Sequence, residues 1–208
     1  MLECIRQAHE QIYRHHGRSD RLTNSSLSEA FILQLKAIKE RMYMSKALLI
    51  LDMQEVTVGK NHAEIFKYPA DMIQRVNSAI EDNSESIIVY IRNLMKNNLI
   101  NKLAPVKCFD GTKEAELVEG LSIKSSHVLD KYKGDAFSNP ELVDLLKMKS
   151  VDEVEIIGVD GGGCVALTAL GAIENGYKVK LNTFAIGTIF TDKRDKYYAK
   201  LKEKGAQI

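Results

Sequence analysis

Short apolar runs alternate, from residue 47 to the end of the chain, with stretches whose apolar residues recur at helical spacing. The runs predict strands at Ala47–Leu51, Ser86–Ile91, His127–Leu129, Val154–Ile157 and Lys178–Leu181. Between them, helices are predicted at Pro69–Asp82, Lys113–Gly120, Pro140–Lys149, Cys164–Asn175 and Thr191–Lys204. Strands apolar along their whole length are buried on both faces. The pattern therefore implies a mostly parallel central sheet between two helical layers, a three-layer α/β/α domain over residues 46–208. Residues 1–45 read differently: Ile5, Ala8 and Ile12, then Phe31, Ile32, Leu35 and Ile38, fall at helical spacing on either side of the polar stretch His15–Ser28. That is the pattern of an N-terminal helical hairpin whose apolar stripe needs cover from the main domain or from a second subunit.

Composition narrows the partners. With 29 basic and 28 acidic residues among 208, the formal charge is +1, and no strong field points to nucleic acid or an anionic membrane. A small-molecule substrate is the expectation. Cys4, Cys108 and Cys164 are an odd set without CxxC spacing, and the N-terminus has no charged region leading into an apolar run. The expected setting is a reduced, cytoplasmic one. No apolar run approaches the roughly 20 residues that cross a bilayer.

Ligands of parallel sheets bind beyond the carboxyl ends of the strands. There the predicted elements put Asp52 after the first strand, Arg92 after the second, Lys131 after the third and Cys164 after the fourth and its glycine-rich turn, Gly158–Gly163. At a helix N-terminus Cys164 faces unpaired N–H groups and the positive end of the helix dipole, which favour a thiolate. A cysteine there also suits a core position, and glycine-rich turns cradle phosphates, although Gly158-Val-Asp-Gly-Gly-Gly163 is not the GxGxxG spacing of dinucleotide folds. Asp52, at the end of a buried run, suits a general base or a loop cap; Lys131 and Lys133 suit solvated loop charges or, beside a thiol, stabilisers of thiolate and oxyanion.

Taken in order, the segments ALLILDMQ (47–54), IIVYIRN (87–93), FDGTKEAELVEGL (109–121), KYKGDAF (131–137), NPELVDLL (139–146) and IIGVDGGGCVALTALGAIENGYKV (156–179) resemble the isochorismatase-like cysteine hydrolases. The resemblance implies that family's hydrolase fold, a homo-oligomer (dimer or tetramer), and an Asp–Lys–Cys triad at Asp52, Lys131 and Cys164, with the lysine six residues before Phe137 in place of Lys133. It also implies a cis peptide between Val159 and Asp160, and an oxyanion hole formed by the N–H groups of Asp160 and Cys164. The chain departs from the family in three places. Asn93–Lys102 has no histidine where nicotinamidases hold a metal, so neither metal nor cofactor is expected; Gly161 stands where threonine is usual, and Glu55–Gly59 brings no aromatic residue. The implied reaction is cleavage of a carbon–nitrogen bond in a small amide or ureido compound through a thioester. The alternatives are a non-catalytic binding or regulatory protein and an isochorismate-type vinyl ether hydrolase.

Overall fold

A computed structural model describes residues 45–208, and the expected N-terminal hairpin lies outside them. Five strands, β1 (Ser45–Leu51), β2 (Ile87–Asn93), β3 (Val128–Lys131), β4 (Val151–Val159) and β5 (Lys178–Gly187), form one parallel sheet in the order β3-β2-β1-β4-β5. The helices among the described residues are α1 (Glu55–Val58), α2 (Met72–Asp82), α3 (Leu99–Lys102), α4 (Pro140–Met148), α5 (Cys164–Glu174) and α6 (Thr191–Glu203). None is long and apolar enough to cross a membrane.

The three layers follow from the strand sequences. Along β1, Ala47, Leu49 and Leu51 enter one core with Leu142, Leu145 and Leu146 of α4 and Val165, Ala166 and Ala169 of α5. Leu48 and Ile50 point the other way, into a second core with Met72, Val76, Ala79 and Ile80 of α2. Period-two alternation thus serves two apolar faces at once, which is why these strands read as unbroken apolar runs. The strand order reverses between β1 and β4, the place where such sheets open a crevice at their carboxyl ends.

The segment Lys113–Gly120 departs from its predicted helix: only Lys113–Ala115 turns, as a single 3-10 turn. Its backbone is claimed by the loop after β1 instead. Leu117 bridges Gln54, Val118 N–H donates to Met53 O, and Ala115 O accepts from Gln54 Nε2, so burial of Ala115 and Val118 against that loop outweighs local propensity. Strands β2 and β3 also run two residues further than the pattern predicted, to Asn93 and Lys131, and β5 runs on to Gly187 past a register shift.

Two glycines separate steric from conformational demand. Gly158 has φ +107°, and a Cβ there would sit 2.1 Å from Leu51 O in the neighbouring strand. Gly176, just past α5, has φ +88° with nothing within 4 Å. Gly158→Ala is expected to cost at least about 3 kcal/mol and Gly176→Ala about 1 kcal/mol, read as shifts in urea midpoint.

Candidate active site

Asp52 closes β1 in a left-handed turn, φ 57°, which aspartate tolerates better than most side chains. Its N–H donates to Ile91 O of β2 at 2.8 Å and its carbonyl accepts from Thr57 Oγ1 of α1, so neighbours on both sides hold the turn. Gln54 secures the same loop: its Oε1 accepts from Asn93 N–H at 2.7 Å, and its Nε2 donates to Ala115 O at 3.0 Å and to Cys108 Sγ at 3.2 Å. Burial pushes the Cys108 thiol up to about 11, as expected of a packing cysteine.

Lys131 ends β3, two strands from β1, and its side chain is fully buried. Its Nζ lies 3.0 Å from Asp52 Oδ2 and donates to Cys164 Sγ at 3.1 Å. The loop that follows is pinned to α5, where Thr168 Oγ1 accepts from Ala136 N–H at 3.0 Å. Lys133 is exposed and takes no part. Arg92 does not join either, because Nε and Nη2 bind Asp130 at 2.7 and 2.9 Å.

Cys164 is the first residue of α5, after a turn in which the peptide between Val159 and Asp160 is cis. The glycines are here for packing. A Cβ at Gly161 would meet Thr188 Oγ1 at 2.3 Å, and one at Gly162 would meet Phe190 O at 2.1 Å. Their N–H groups are spent within the loop: Gly161 donates to Gly187 O, Gly162 to Asp160 Oδ1 and Gly163 to Asp160 O. The second Asp160 oxygen accepts from Ile189 N–H. Among the described residues, the N–H groups of Asp160 and Cys164 are left without an acceptor.

The electrostatics correct the expectation of a thiolate favoured at rest. Burial pushes the Cys164 thiol up to about 12, Asp52 pushes the same way, and Lys131 opposes them. Burial also raises the Asp52 carboxyl, against the pull of Lys131. For Lys131, burial acts to lower the ammonium, but Asp52 and Cys164 outweigh it and hold it protonated. Lys131 is thus the one cation that opposes the effect of burial on both Asp52 and Cys164. The helix dipole is too weak to change this once the thiol is buried beside a carboxylate. Asp52 Oδ1 is buried with no hydrogen-bond partner, the one acceptor in the triad left open for a proton.

A cleft of about 330 Å³ is lined by Glu55, Thr57, Lys60, His62, Phe66, Tyr68 and Glu119 among others but by no residue of the triad, whose Lys131 lines a separate cleft with Lys96 and Lys133. Thr57 and Tyr68 connect the first cleft to the triad: Thr57 bonds Asp52, and the Tyr68 phenol is raised by burial and then by Asp160 and Asp52. Phe66 and Tyr68 stack at 6.1 Å, so aromatic surface that Glu55–Gly59 lacks is supplied from further along the chain. No local pattern singled them out; the Phe-Lys-Tyr alternation at 66–68 was the only trace.

The isochorismatase domain model matches residues 46–208. The chain belongs to the isochorismatase family of hydrolases. Similar solved structures include the pyrazinamidase of Pyrococcus horikoshii in complex with zinc, at 27% identity and TM-score 0.68 over 79% of this chain and 98% of that one. The pyrazinamidase/nicotinamidase of Streptococcus mutans matches at 22% and 0.70 over 79% and 99%, and the N-carbamoylsarcosine amidase of Thermoplasma acidophilum at 20% and 0.66 over 79% and 95%. No curated protein matches in a sequence comparison. Among the described residues, no three His, Cys, Asp or Glu side chains are grouped to hold a metal ion.

A thiol whose proton is held this firmly should alkylate faster as pH rises. The iodoacetamide rate at Cys164 is expected to climb steadily from pH 7 to 9 with no plateau, and to exceed that at buried Cys108 throughout, as read by peptide mass spectrometry. Levelling near pH 7 would mean a lowered thiol pKa.

Proposed function

We propose that this hydrolase cleaves a carbon–nitrogen bond of a small amide or ureido compound through a thioester on Cys164. The observation that carries the reading is one ammonium, Lys131 Nζ, within 3.1 Å of both a carboxylate and a thiol while Asp52 Oδ1 stays open. The amidases among similar structures support the same class of bond.

Asp52 Oδ1 takes the Cys164 proton as Sγ attacks the substrate carbonyl carbon, so a C–S bond forms and the carbonyl π bond becomes an oxyanion. Lys131 and the N–H groups of Asp160 and Cys164 stabilise that anion. Asp52 passes its proton to the nitrogen, the C–N bond breaks, and ammonia or an amine departs. Water then attacks the thioester, its proton going to Asp52 and on to the departing sulfur, which regenerates the thiol and frees the acid. The raised carboxyl of Asp52 suits both directions of transfer.

A non-catalytic role on the same fold accounts for none of this arrangement, and vinyl ether hydrolysis has no use for a buried thiol. The deciding experiment is ammonia release from a panel of small amides and ureides, with acid-quenched mass spectrometry for an acyl group on Cys164. Cys164→Ala is expected to lower turnover at least about a thousandfold, and Asp52→Asn to suppress acyl-enzyme while ligand binding persists. EDTA is expected to leave the rate unchanged. Turnover that survives Cys164→Ala, or that needs added zinc, would refute the mechanism.

A further inference from the structure

The aim of the Asp52 carboxylate is decided by its backbone. Of its two oxygens, Oδ2 meets Lys131 Nζ at 3.0 Å and Oδ1 has no hydrogen-bond partner, so the side chain has one tether of its own. The residue sits at φ 57°, a left-handed conformation that an L side chain adopts at a cost and keeps only where its surroundings over-determine it. On the entry side its N–H donates to Ile91 O at 2.8 Å. On the exit side Met53 is buried, with its carbonyl accepting from Val118 N–H at 2.9 Å, and the Gln54 side chain is bound to Asn93 and Ala115. There remains the Asp52 carbonyl, and among the described residues it accepts one hydrogen bond, from Thr57 Oγ1. The same hydroxyl accepts from Gln54 N–H at 3.1 Å and lies 2.9 Å from Gln54 O, so its donor and its acceptor are both used inside the turn. Thr57 is buried, and it belongs to the stretch Glu55–Gly59 that brings no aromatic residue.

We propose that Thr57 is the positioning residue of the general base: its hydroxyl clamps the Asp52 carbonyl and so fixes the turn that aims the Asp52 carboxylate at Lys131 and Cys164. The proposal rests on the reading of Asp52 as that base. Thr57 takes no proton itself and acts through the backbone of Asp52. Without the hydroxyl, Asp52 O and Gln54 N–H would both be buried with no partner, and the readiest relief is rotation of the Asp52 peptide out of the left-handed region. Such a rotation swings the carboxylate away from the thiol. Cys164 has Asp52 and Lys131 as its charged neighbours, with the Tyr68 phenol uncharged nearby, so the lysine would then dominate. A small rotation is enough, because a general base works only within hydrogen-bond reach of the proton it takes.

The test reads the relation between Asp52 and Cys164 through the thiol, so it needs no substrate. Rates of iodoacetamide alkylation at Cys164 are measured from about pH 6.5 to about pH 9.5 on the full chain and on Asp52→Asn, Thr57→Val, Thr57→Ser and Gly176→Ala. Asp52→Asn removes the carboxylate that holds the thiol up, and is expected to raise the rate at neutral pH about tenfold. Thr57→Val keeps the branched shape without the hydroxyl, and is expected to raise it at least about threefold, toward Asp52→Asn. Thr57→Ser keeps the hydroxyl and should stay within about twofold of the parent. Gly176→Ala, at the far end of α5, lowers stability without touching the turn and should leave the profile unchanged, which separates aim from stability. Should Thr57→Val not fold, Thr57→Ala removes the same hydroxyl with less crowding, and the same increase is expected. With an amide that is turned over, Thr57→Val should lower kcat at least about tenfold and leave KM within about twofold, because the aim of the base counts only in the transition state. A hydroxyl-free variant whose profile matches the parent's, a shift that Thr57→Ser shares in full, or an Asp52→Asn profile identical to the parent's would overturn the positioning role. If amides are hydrolysed and Thr57→Val alters neither profile nor kcat, this proposal alone falls. If the profiles shift as expected but no amide in the panel is turned over, the hydrolytic reading falls and the positioning of Asp52 by Thr57 stands.

Discussion

The Lys131 ammonium, sealed between Asp52 and Cys164, is the constraint on which the rest of the site depends. Removing an ammonium from water costs several kcal/mol, and only a carboxylate and a polarisable sulfur at hydrogen-bond distance are there to offset it. The lysine can reach them because β3 ends two strands from β1, with β2 between, and because the side chain spans that gap through the buried edge of the sheet. In the proposed mechanism the nucleophile stays a thiol until a carbonyl arrives, in contrast to a cysteine activated by a helix terminus alone.

The turn before Cys164 divides its donors between structure and chemistry. Gly161, Gly162 and Gly163 lack side chains because Thr188 and the backbone at Phe190 crowd two of them, and their N–H groups hold the turn together through Gly187 and Asp160. Asp160 therefore acts twice, its carboxylate tying Gly162 to Ile189 and its own N–H left open beside that of Cys164.

Much of this was legible in the residues. The run ALLIL at 47–51 is apolar at every position facing either helical layer, and VEII at 154–157 at all but Glu155, so the parallel sheet follows from the period-two pattern of a strand buried on both sides. Asp52, Lys131 and Cys164 each stand where such a run meets the crevice, and the structure brings them together. Lys113–Gly120 departs from its helical spacing because that spacing is local, whereas the bond from Gln54 to Ala115 that helps draw it out spans 61 residues of sequence.

By itself the sequence determined the layers and the residue types at the crevice, because periodicity and composition act over a few neighbouring positions. Tertiary structure alone decided the charge states, the partners and the pocket. Lys131, which the resemblance singled out over Lys133, faces the thiol because it ends β3 inside the sheet, while Arg92 is turned to Asp130. The Cys164 proton is held rather than released because desolvation depends on everything packed around a group. Tyr68 comes near the triad because a loop folds over Gly187, whose missing Cβ leaves room for the Tyr68 ring, and no rule of sequence periodicity reports such a contact.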